Sequence, residues 1–324
     1  RLEKFLQHKD DIPTDIEALS LRVADWPWPS ETTCFLAPFT QLSSLELAVD
    51  RYSPNIDLLL REMTCLTRFE FSSEGFAVTN VIPVLPTSLK HLSIALSPEY
   101  NLKGNDSNPP LPHLPALTGL TLLDTYFSQP NPAQQRFATR LLQEHTNLES
   151  LSARHNTLME DSWDIILQMT QITSLDIQLS FAVVLDPIFQ LPRLLKLTLN
   201  LLEACSLGEV PPNTSLTHLS MSAQKSTFFF PELPNLTALD LRLNNYESDN
   251  LFQMLPTWTE LRTLNLYLAP TLSTAQNTPH HTIGNALSGL GYLLDCEIKF
   301  WPQHGWKETA VILSHLPSTL TMLK

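Results

Sequence analysis

A repeated frame of spaced leucines constrains this 324-residue chain more than any other feature. The pattern L-x-x-L-x-L, with other apolar residues in some copies, recurs about a dozen times between Ile16 and Leu323. Successive copies begin 20 to 32 residues apart, which is within or near the spacing of leucine-rich arrays. Such a spacing predicts stacked structural units rather than a globule around one closed core. Clear copies are Leu42-Leu45-Leu47, Leu89-Leu92-Ile94, Leu117-Leu120-Leu122, Ile172-Leu175-Ile177, Leu194-Leu197-Leu199, Leu236-Leu239-Leu241 and Leu261-Leu264-Leu266.

Apolar and polar residues alternate within each frame, which predicts a short strand with one buried face. The stretches between frames carry apolar residues at helical spacing, most clearly at 133–145 and also at 55–63, 161–169, 249–255 and 307–316. Strand and helix therefore alternate, which favours parallel strands. The predicted fold class is α/β, a right-handed leucine-rich repeat solenoid or horseshoe. Its parallel strands form the concave face, and irregular helices and turns form the convex face.

The whole chain, 1–324, is predicted to be a single solenoid. Residues 1–15 are expected to form an N-terminal helical cap. About 12 repeats follow from 16 to 324, and the last of them is truncated.

The composition argues against several classes of ligand. The net charge of −13 disfavours phosphate backbones and anionic membrane surfaces, so we expect neither nucleic acid nor membrane as a partner. Glycine is scarce at 8 residues, and the sequence contains neither G-x-G-x-x-G nor a P-loop motif. We therefore expect no cofactor. We also expect no metal, because His91 and His218 are too far apart in the array to share one.

Four cysteines and three sequons bear on the compartment. Cys34, Cys65, Cys205 and Cys296 are irregularly spaced, and Cys296 takes a leucine position of the frame, which predicts a buried thiol. The absence of clustered cysteines favours a reducing compartment, cytoplasmic or nuclear. The N-x-[ST] triplets begin at Asn105, Asn213 and Asn235, and they would matter only on a secretory route.

The residues between the leucines are expected to point to the concave face. The position between the last two frame residues is acidic in five of twelve copies and basic in none: Glu46, Glu70, Asp176, Asp240 and Glu297. Basic residues occupy the columns on either side, such as Arg22, Arg154, Arg242 and Lys299 after it and Arg68, His91, Lys196 and His218 before it. The predicted partner-binding residues are Arg68, Glu70, His91, Arg154, Asp176, Gln178, Lys196, His218, Asp240, Arg242 and Tyr267.

Two other interpretations of this face remain open. Charges two residues apart, such as Asp240 with Arg242 and Glu297 with Lys299, can pair and simply keep an exposed sheet in solution. Carboxylates on adjacent strands, such as Glu46 and Glu70, lie about 5 Å apart at the backbone and could serve acid/base chemistry. No enclosing pocket can be inferred from the sequence, so no catalytic residue is predicted.

The frame resembles the leucine-rich repeat superfamily over essentially the whole chain. A narrower resemblance concerns the opening segment and residues 86–94. The opening R-L-E-K-F-L-Q-H, the following D-I-E-A-L-S-L and the P-T-S-L-K-H-L-S-I pattern at 86–94 resemble the repeat region of fungal F-box/leucine-rich repeat proteins. In that family the array holds a substrate and the F-box docks the adaptor of a cullin-type ubiquitin ligase. No F-box is present in this sequence.

These observations predict a protein-recognition scaffold without catalysis, with the substrate-receptor part of a ubiquitin ligase as its most specific form. One alternative is an enzyme whose site combines concave carboxylates with a long loop, 98–113 or 270–285. Another is a secreted or surface receptor ectodomain. The oligomeric state and the identity of the protein partner are not predicted.

Overall fold

The computed structural model describes residues 16–23, 41–49, 60–73, 84–96, 111, 113–124, 132–154, 157–203, 205–208, 210–223, 226–246, 250–270, 285–300 and 316–323. The chain divides into two compact units, Arg1–Gln168 and Met169–Lys324. Each unit is described below by itself. The prediction of one continuous solenoid stays a prediction, and the expected cap at 1–15 lies outside the described residues.

Six strands form the sheet of the first unit, and each pairs in parallel with the next along the chain. They are β1 (Ala18–Val23), β2 (Ser44–Val49), β3 (Arg68–Ser73), β4 (His91–Leu96), β5 (Gly119–Asp124) and β6 (Ser150–Ala153). Helix α1 (Pro132–Glu144) connects β5 to β6, and α2 (Glu160–Leu167) follows β6. The two helices meet at a buried hydrogen bond of 2.7 Å between the Thr139 and Ser162 hydroxyls.

The main sheet of the second unit has the order β7-β8-β10-β12-β13-β14-β15, again parallel throughout. These strands are β7 (Ser174–Leu179), β8 (Lys196–Leu201), β10 (His218–Ala223), β12 (Ala238–Tyr246), β13 (Thr263–Pro270), β14 (Asp295–Phe300) and β15 (Met322–Leu323). The short strands β9 (Cys205–Leu207) and β11 (Ser226–Phe228) pair in a second sheet. Helix α3 (Asn250–Met254), a helical turn at 285–288 and 3₁₀ turns at Asp186–Gln190 and Leu255–Thr257 lie between the strands of the unit.

The leucine frame forms the core of both units, as predicted. From Leu42 to Leu293, every first frame residue is buried, and so is every second residue from Leu45 to Cys296. Parallel pairing matches frame to frame, so that Leu239 lies beside Leu219 on one strand and Leu264 on the next. Each fully buried leucine contributes about 1.5–3 kcal/mol to folding. The expected α/β leucine-rich repeat architecture, with an open parallel sheet, is therefore confirmed.

A tight turn precedes nine of the described strands. The N–H of the first frame residue donates to the carbonyl three residues earlier, as in Leu117 to Leu114 and Leu236 to Leu233, at 3.1 to 3.4 Å in nine repeats. In three of these turns the second residue is proline: Pro115, Pro192 and Pro234. The fixed φ of proline suits that turn position, which explains the Leu-Pro pairs in these three repeats.

A ladder of hydroxyl groups reinforces the start of the strands. The carbonyl just after the first frame residue accepts two backbone N–H groups from the next repeat, at 2.8 to 3.1 Å. In several repeats the first of the two donating residues is Ser or Thr. Its hydroxyl then donates to the same carbonyl as its backbone N–H, as in Thr67 to Ser43 and Thr237 to Thr217. Ser43, Thr118, Thr217 and Thr321 do the same. The leucine frame by itself does not predict these hydroxyl hydrogen bonds.

Three of the five predicted helices are confirmed, and the other two lie mostly outside the described residues. The segments 133–145, 161–169 and 249–255 correspond to α1, α2 and α3. Each end of each helix differs from the predicted end by one or two residues. Within 55–63 only 60–62 is described as helical, and 307–316 is described only at Leu316. The long loops lie almost entirely outside the described residues.

Candidate recognition face

The main-sheet side chains that alternate with the buried leucines form what we call the polar face. In β7 and β8, for example, half-buried or exposed residues alternate strictly with buried ones. Side chains two residues apart on a strand share a face, which explains why one side is sealed and the other is open. All eleven predicted partner-binding residues lie on these strands or directly after one.

On the first unit, the polar face brings Arg68 and His91 side by side. Arg68 on β3 pairs in register with His91 on β4, and both are exposed. The next residue in this row is Gly119, and the His91 ring lies over it. Glu70, half-buried, lies two residues beyond Arg68 on the same strand.

Glu46 and Glu70 are register partners on β2 and β3, as the sequence predicted. Glu46 accepts a hydrogen bond of 2.8 Å from the Ser20 hydroxyl on β1. A carboxylate held by a neighbouring hydroxyl needs no catalytic role to explain its position. Arg154, exposed directly after β6, completes the predicted residues of this unit.

On the second unit, Lys196 and His218 are neighbours in one row on β8 and β10. Both side chains are exposed. Asp176 and Gln178 lie on β7, where Gln178 accepts a hydrogen bond of 3.2 Å from Asn200. Two strands, β8 and β10, separate Asp176 from Asp240, a span of about 14 Å across the sheet. The structure therefore does not bring these two predicted carboxylates together.

A hollow of about 300 Å³ opens on the polar face of β12, β13 and β14. Its lining residues, which define the charged hollow, are Asp240, Arg242, Asn265, Leu266, Tyr267, Glu297 and Lys299. Register pairing arranges them in two rows: Asp240, Asn265 and Glu297 in one, and Arg242, Tyr267 and Lys299 in the other. Three of the predicted residues, Asp240, Arg242 and Tyr267, meet here.

Two ion pairs flank the charged hollow. Arg242 Nε lies 3.4 Å from Asp240 Oδ1, and Lys299 Nζ lies 2.7 Å from Glu297 Oε1. The predicted pairing of these charges is confirmed. Exposed pairs of this kind are worth about 0–1 kcal/mol, so they leave the charges able to exchange partners.

Asn265, Glu297 and Lys299 belong to the charged hollow but were not among the predicted site residues. The signal was present in the sequence, because Glu297 and Lys299 continue the acidic and basic columns. Asn265 carried no such signal, and only the register of β13 between two charged strands gives it a place in the site.

Metal-ligating clusters and groups with shifted pKa values bear on the alternative of an enzyme. Within the part of the chain that the structure describes, no cluster of three His, Cys, Asp or Glu side chains could hold a metal ion. Among the described residues, three groups with shifted pKa values lie in the core. Burial raises the pKa of Cys296 to about 11, raises the pKa of Cys205 and lowers the pKa of His145. The predicted burial of Cys296 is confirmed, since the residue is only 3% exposed.

The sequon residue Asn213 has a structural role. Its side-chain Nδ2 donates to the Phe189 carbonyl, and its Oδ1 accepts from the N–H groups of Ser215 and Leu216 at 2.9 and 2.8 Å. This side chain replaces the backbone carbonyl that receives the same turn bond in other repeats. A buried amide so engaged cannot carry a glycan in the folded protein. Asn235, in contrast, is exposed, and Asn105 lies outside the described residues.

Comparison with solved structures agrees with this geometry. An internalin (inlF) from Listeria monocytogenes is similar with a TM-score of 0.55 and 14% sequence identity, over 98% of this chain and 88% of that chain. The chain has the leucine-rich repeat fold. This leucine-rich repeat chain also matches the TLR13 chain of a TLR13–ssRNA13 complex, at 17% identity over 89% of this chain and 36% of that one. The TM-score of 0.34 is too low to carry an argument.

No protein-family model matches the leucine-rich repeat chain, and no curated protein sequence matches it. Among the described residues, no helix is both long and apolar enough to cross a membrane.

Proposed function

We propose that this leucine-rich repeat chain is a protein-recognition scaffold that binds a partner protein on the polar face of its strands. The observation that carries the proposal is the register of the polar face. It aligns charged, amide and aromatic side chains in rows across neighbouring strands, while the leucines behind them fix the backbone. A rigid sheet with preset polar groups binds at a low cost in conformational entropy.

A protein partner fits this face better than a nucleic acid does. The polar face mixes carboxylates with cations, and the chain carries a net charge of −13. A phosphate backbone needs a surplus of Lys and Arg along its path, whereas a protein surface presents both signs of charge. The acidic surface disfavours an anionic membrane for the same reason.

The test is affinity capture of the partner protein by the full chain, and it compares two double variants. Arg154→Glu with Arg242→Glu reverses one polar-face cation in each unit. Arg61→Glu with Arg262→Glu makes the same charge change at two exposed positions outside the strands, one in the helical segment 60–62 and one just before β13. Capture should fall at least tenfold for the first variant only, while the thermal unfolding midpoints stay nearly equal. Equal capture by both variants would remove the polar face from the proposal.

The more specific proposal is a substrate receptor of a ubiquitin ligase, cytoplasmic or nuclear. It is supported by the resemblance of the opening segment and of the 86–94 pattern to fungal F-box/leucine-rich repeat proteins. The test is co-purification of a cullin adaptor with the product of the complete gene. If that product neither contains an F-box nor retains an adaptor, the ligase role falls, and the scaffold role is unaffected.

A secreted ectodomain and an enzyme are the remaining alternatives. The role of Asn213 inside the fold removes one of the three sequons that would mark a secretory route. The shifted pKa values described above belong to core residues, which cannot act on a substrate bound to the polar face. Both observations favour the scaffold.

A further inference from the structure

We infer that the charged hollow on β12–β14 binds an extended peptide segment that carries one basic and one acidic side chain two residues apart. The inference rests on the proposed function, because it specifies what the scaffold reads at one place on its polar face. It concerns the second unit alone, where all the lining residues lie.

The spacing of the two rows sets the spacing in the peptide. Asp240 and Arg242 are two residues apart on β12, and Glu297 and Lys299 are two apart on β14. Alternate residues of a strand are about 6.6–7 Å apart. An extended peptide aligned with these strands has the same period, so one side chain faces the acidic row and the next but one faces the basic row.

The width of the charged hollow admits one side chain between the flanking strands. Asp240 and Glu297 lie on either side of Asn265 in register, about 9.6 Å apart at the backbone. A lysine or arginine placed above Asn265 can therefore reach a carboxylate on each side. A carboxylate placed above Tyr267 lies in the same way between Arg242 and Lys299.

The exposure of the charges allows this exchange of partners. The side chains of Arg242 and Lys299 are 67% and 61% exposed, while those of Asp240 and Glu297 are each 30% exposed. Ion pairs this open to water are weak, so a ligand that offers both signs of charge loses little by replacing them. The Tyr267 phenol and the Asn265 amide supply the contacts between the two charged sites.

A ligand with one sign of charge fits less well. A segment with two basic side chains places one of them over Arg242 and Lys299, and a segment with two acidic side chains places one over Asp240 and Glu297. Facing like charges penalise both arrangements, which is how charge patterns discriminate between partners.

The experiment measures fluorescence anisotropy with the full chain and labelled, end-capped peptides of about nine residues. The four peptides carry Lys-x-Asp, Asp-x-Lys, Lys-x-Lys or Asp-x-Asp in an otherwise identical Ala/Ser background. We expect one of the mixed peptides to bind about tenfold more tightly than either like-charged peptide at low salt. Equal affinities, or no binding of any peptide at about 1 mM, overturn the inference.

A charge-reversed variant provides the second arm. Arg242→Glu with Lys299→Glu makes both rows acidic, so the preference should move to Lys-x-Lys by about tenfold, whereas Arg61→Glu with Arg262→Glu should keep the mixed preference. An unchanged preference in the first variant overturns the inference. If the peptides fail while Arg154→Glu alone still weakens partner capture, only the assignment of the charged hollow falls. If neither charge set affects capture, the proposed function falls as well.

Discussion

The imidazole of His91 occupies the space that a β carbon would take at Gly119 on the neighbouring strand. The two residues are register partners on β4 and β5, and the ring lies against a backbone that has no side chain. Gly119 is thereby buried, although it lies on the polar face. Glycine at this position lets the His91 ring approach the backbone closely, because only a residue without a β carbon leaves room for the ring.

We therefore expect Gly119→Ala to displace the His91 ring. NMR of the imidazole resonances should show a clear shift, and the variant should lack the gain of about 0.4–1 kcal/mol that Gly→Ala gives where space allows. Gly291→Ala is the matched control, since no heavy atom beyond its chain neighbours lies within 4 Å of the added β carbon. In a His91→Ala background, Gly119→Ala should regain that stabilisation. Unmoved imidazole resonances in Gly119→Ala would contradict this account.

Asn213→Ala should destabilise the second unit by about 2–3 kcal/mol. It removes four described hydrogen bonds at once: one to the Phe189 carbonyl, and one each from the Ser215 N–H, the Ser215 hydroxyl and the Leu216 N–H. The Leu216 N–H and the Phe189 carbonyl lose these partners in the core. Asn235→Ala is the control, because that exposed amide makes one described hydrogen bond, to the Thr214 carbonyl. Urea denaturation of both variants checks the difference, and equal midpoints would show that Asn213 has no special role.

Leu239→Ala should cost about 2–5 kcal/mol, because the leucine is 1% exposed between two buried neighbours. Leu195→Ala makes the same chemical change at a residue that is 44% exposed, and should cost less than about 1 kcal/mol. Thermal unfolding measures both variants. Similar losses would mean that the leucine frame is not the source of stability.

His145→Leu should stabilise the first unit, most clearly in acid. His145 is 6% exposed with a buried Nε2 that has no hydrogen-bond partner, whereas the equivalent position holds buried leucine in repeats such as Leu114 and Leu233. Burial holds the His145 pKa below its ordinary value of 6.5. Below about pH 6.5 the unfolded chain binds a proton that the native chain excludes, so the native state loses stability as the pH falls.

The measurement is the unfolding midpoint of the wild type and of His145→Leu at pH 7.5 and pH 5. We expect a gain of about 1 kcal/mol at the higher pH and a larger one at the lower pH, because leucine removes both the unsatisfied nitrogen and the proton linkage. A variant that is less stable at both pH values would refute the argument.

Cys296 should make the protein less stable in alkali. Its pKa is raised to about 11 by burial, whereas an unfolded thiol titrates near 9. Between these values the unfolded chain has lost a proton that the native chain retains, so stability is fully present below about pH 9 and declines toward pH 11. Cys296→Ala should remove this part of the decline when urea midpoints at pH 8 and pH 10.5 are compared. An identical pH dependence in both proteins would contradict the assignment.

Thiol labelling gives an independent check on the same cysteine. In the native protein at pH 8, Cys65 is exposed and should react with an alkylating reagent within minutes, whereas Cys296 should stay protected until the chain unfolds. Peptide mapping distinguishes the sites.

The polar face was partly predictable because it follows from alternation along single strands. The acidic position between two leucines and the cation two residues later can be read directly, and the Asp240–Arg242 and Glu297–Lys299 pairs are confirmed at those positions. The inclusion of Asn265 was not predictable from its own strand, because it depends on which strands lie on either side. The hydroxyl ladder was not predictable for a related reason. The hydrogen bond of a serine or threonine before a strand depends on the carbonyl of the previous repeat, whose position the local sequence does not give.

The sequence by itself determined the strands, their buried side and the core, because the period of two along a strand and the regular return of leucine leave one way to seal the apolar face. Only the tertiary structure decided what the remaining polar residues do. The ring of His91 over Gly119, the capture of the Phe189 carbonyl by Asn213, and the charged hollow on β12–β14 all join residues from different repeats. Each depends on the distance between side chains that lie 20 or more residues apart in the chain, and local patterns do not encode that distance.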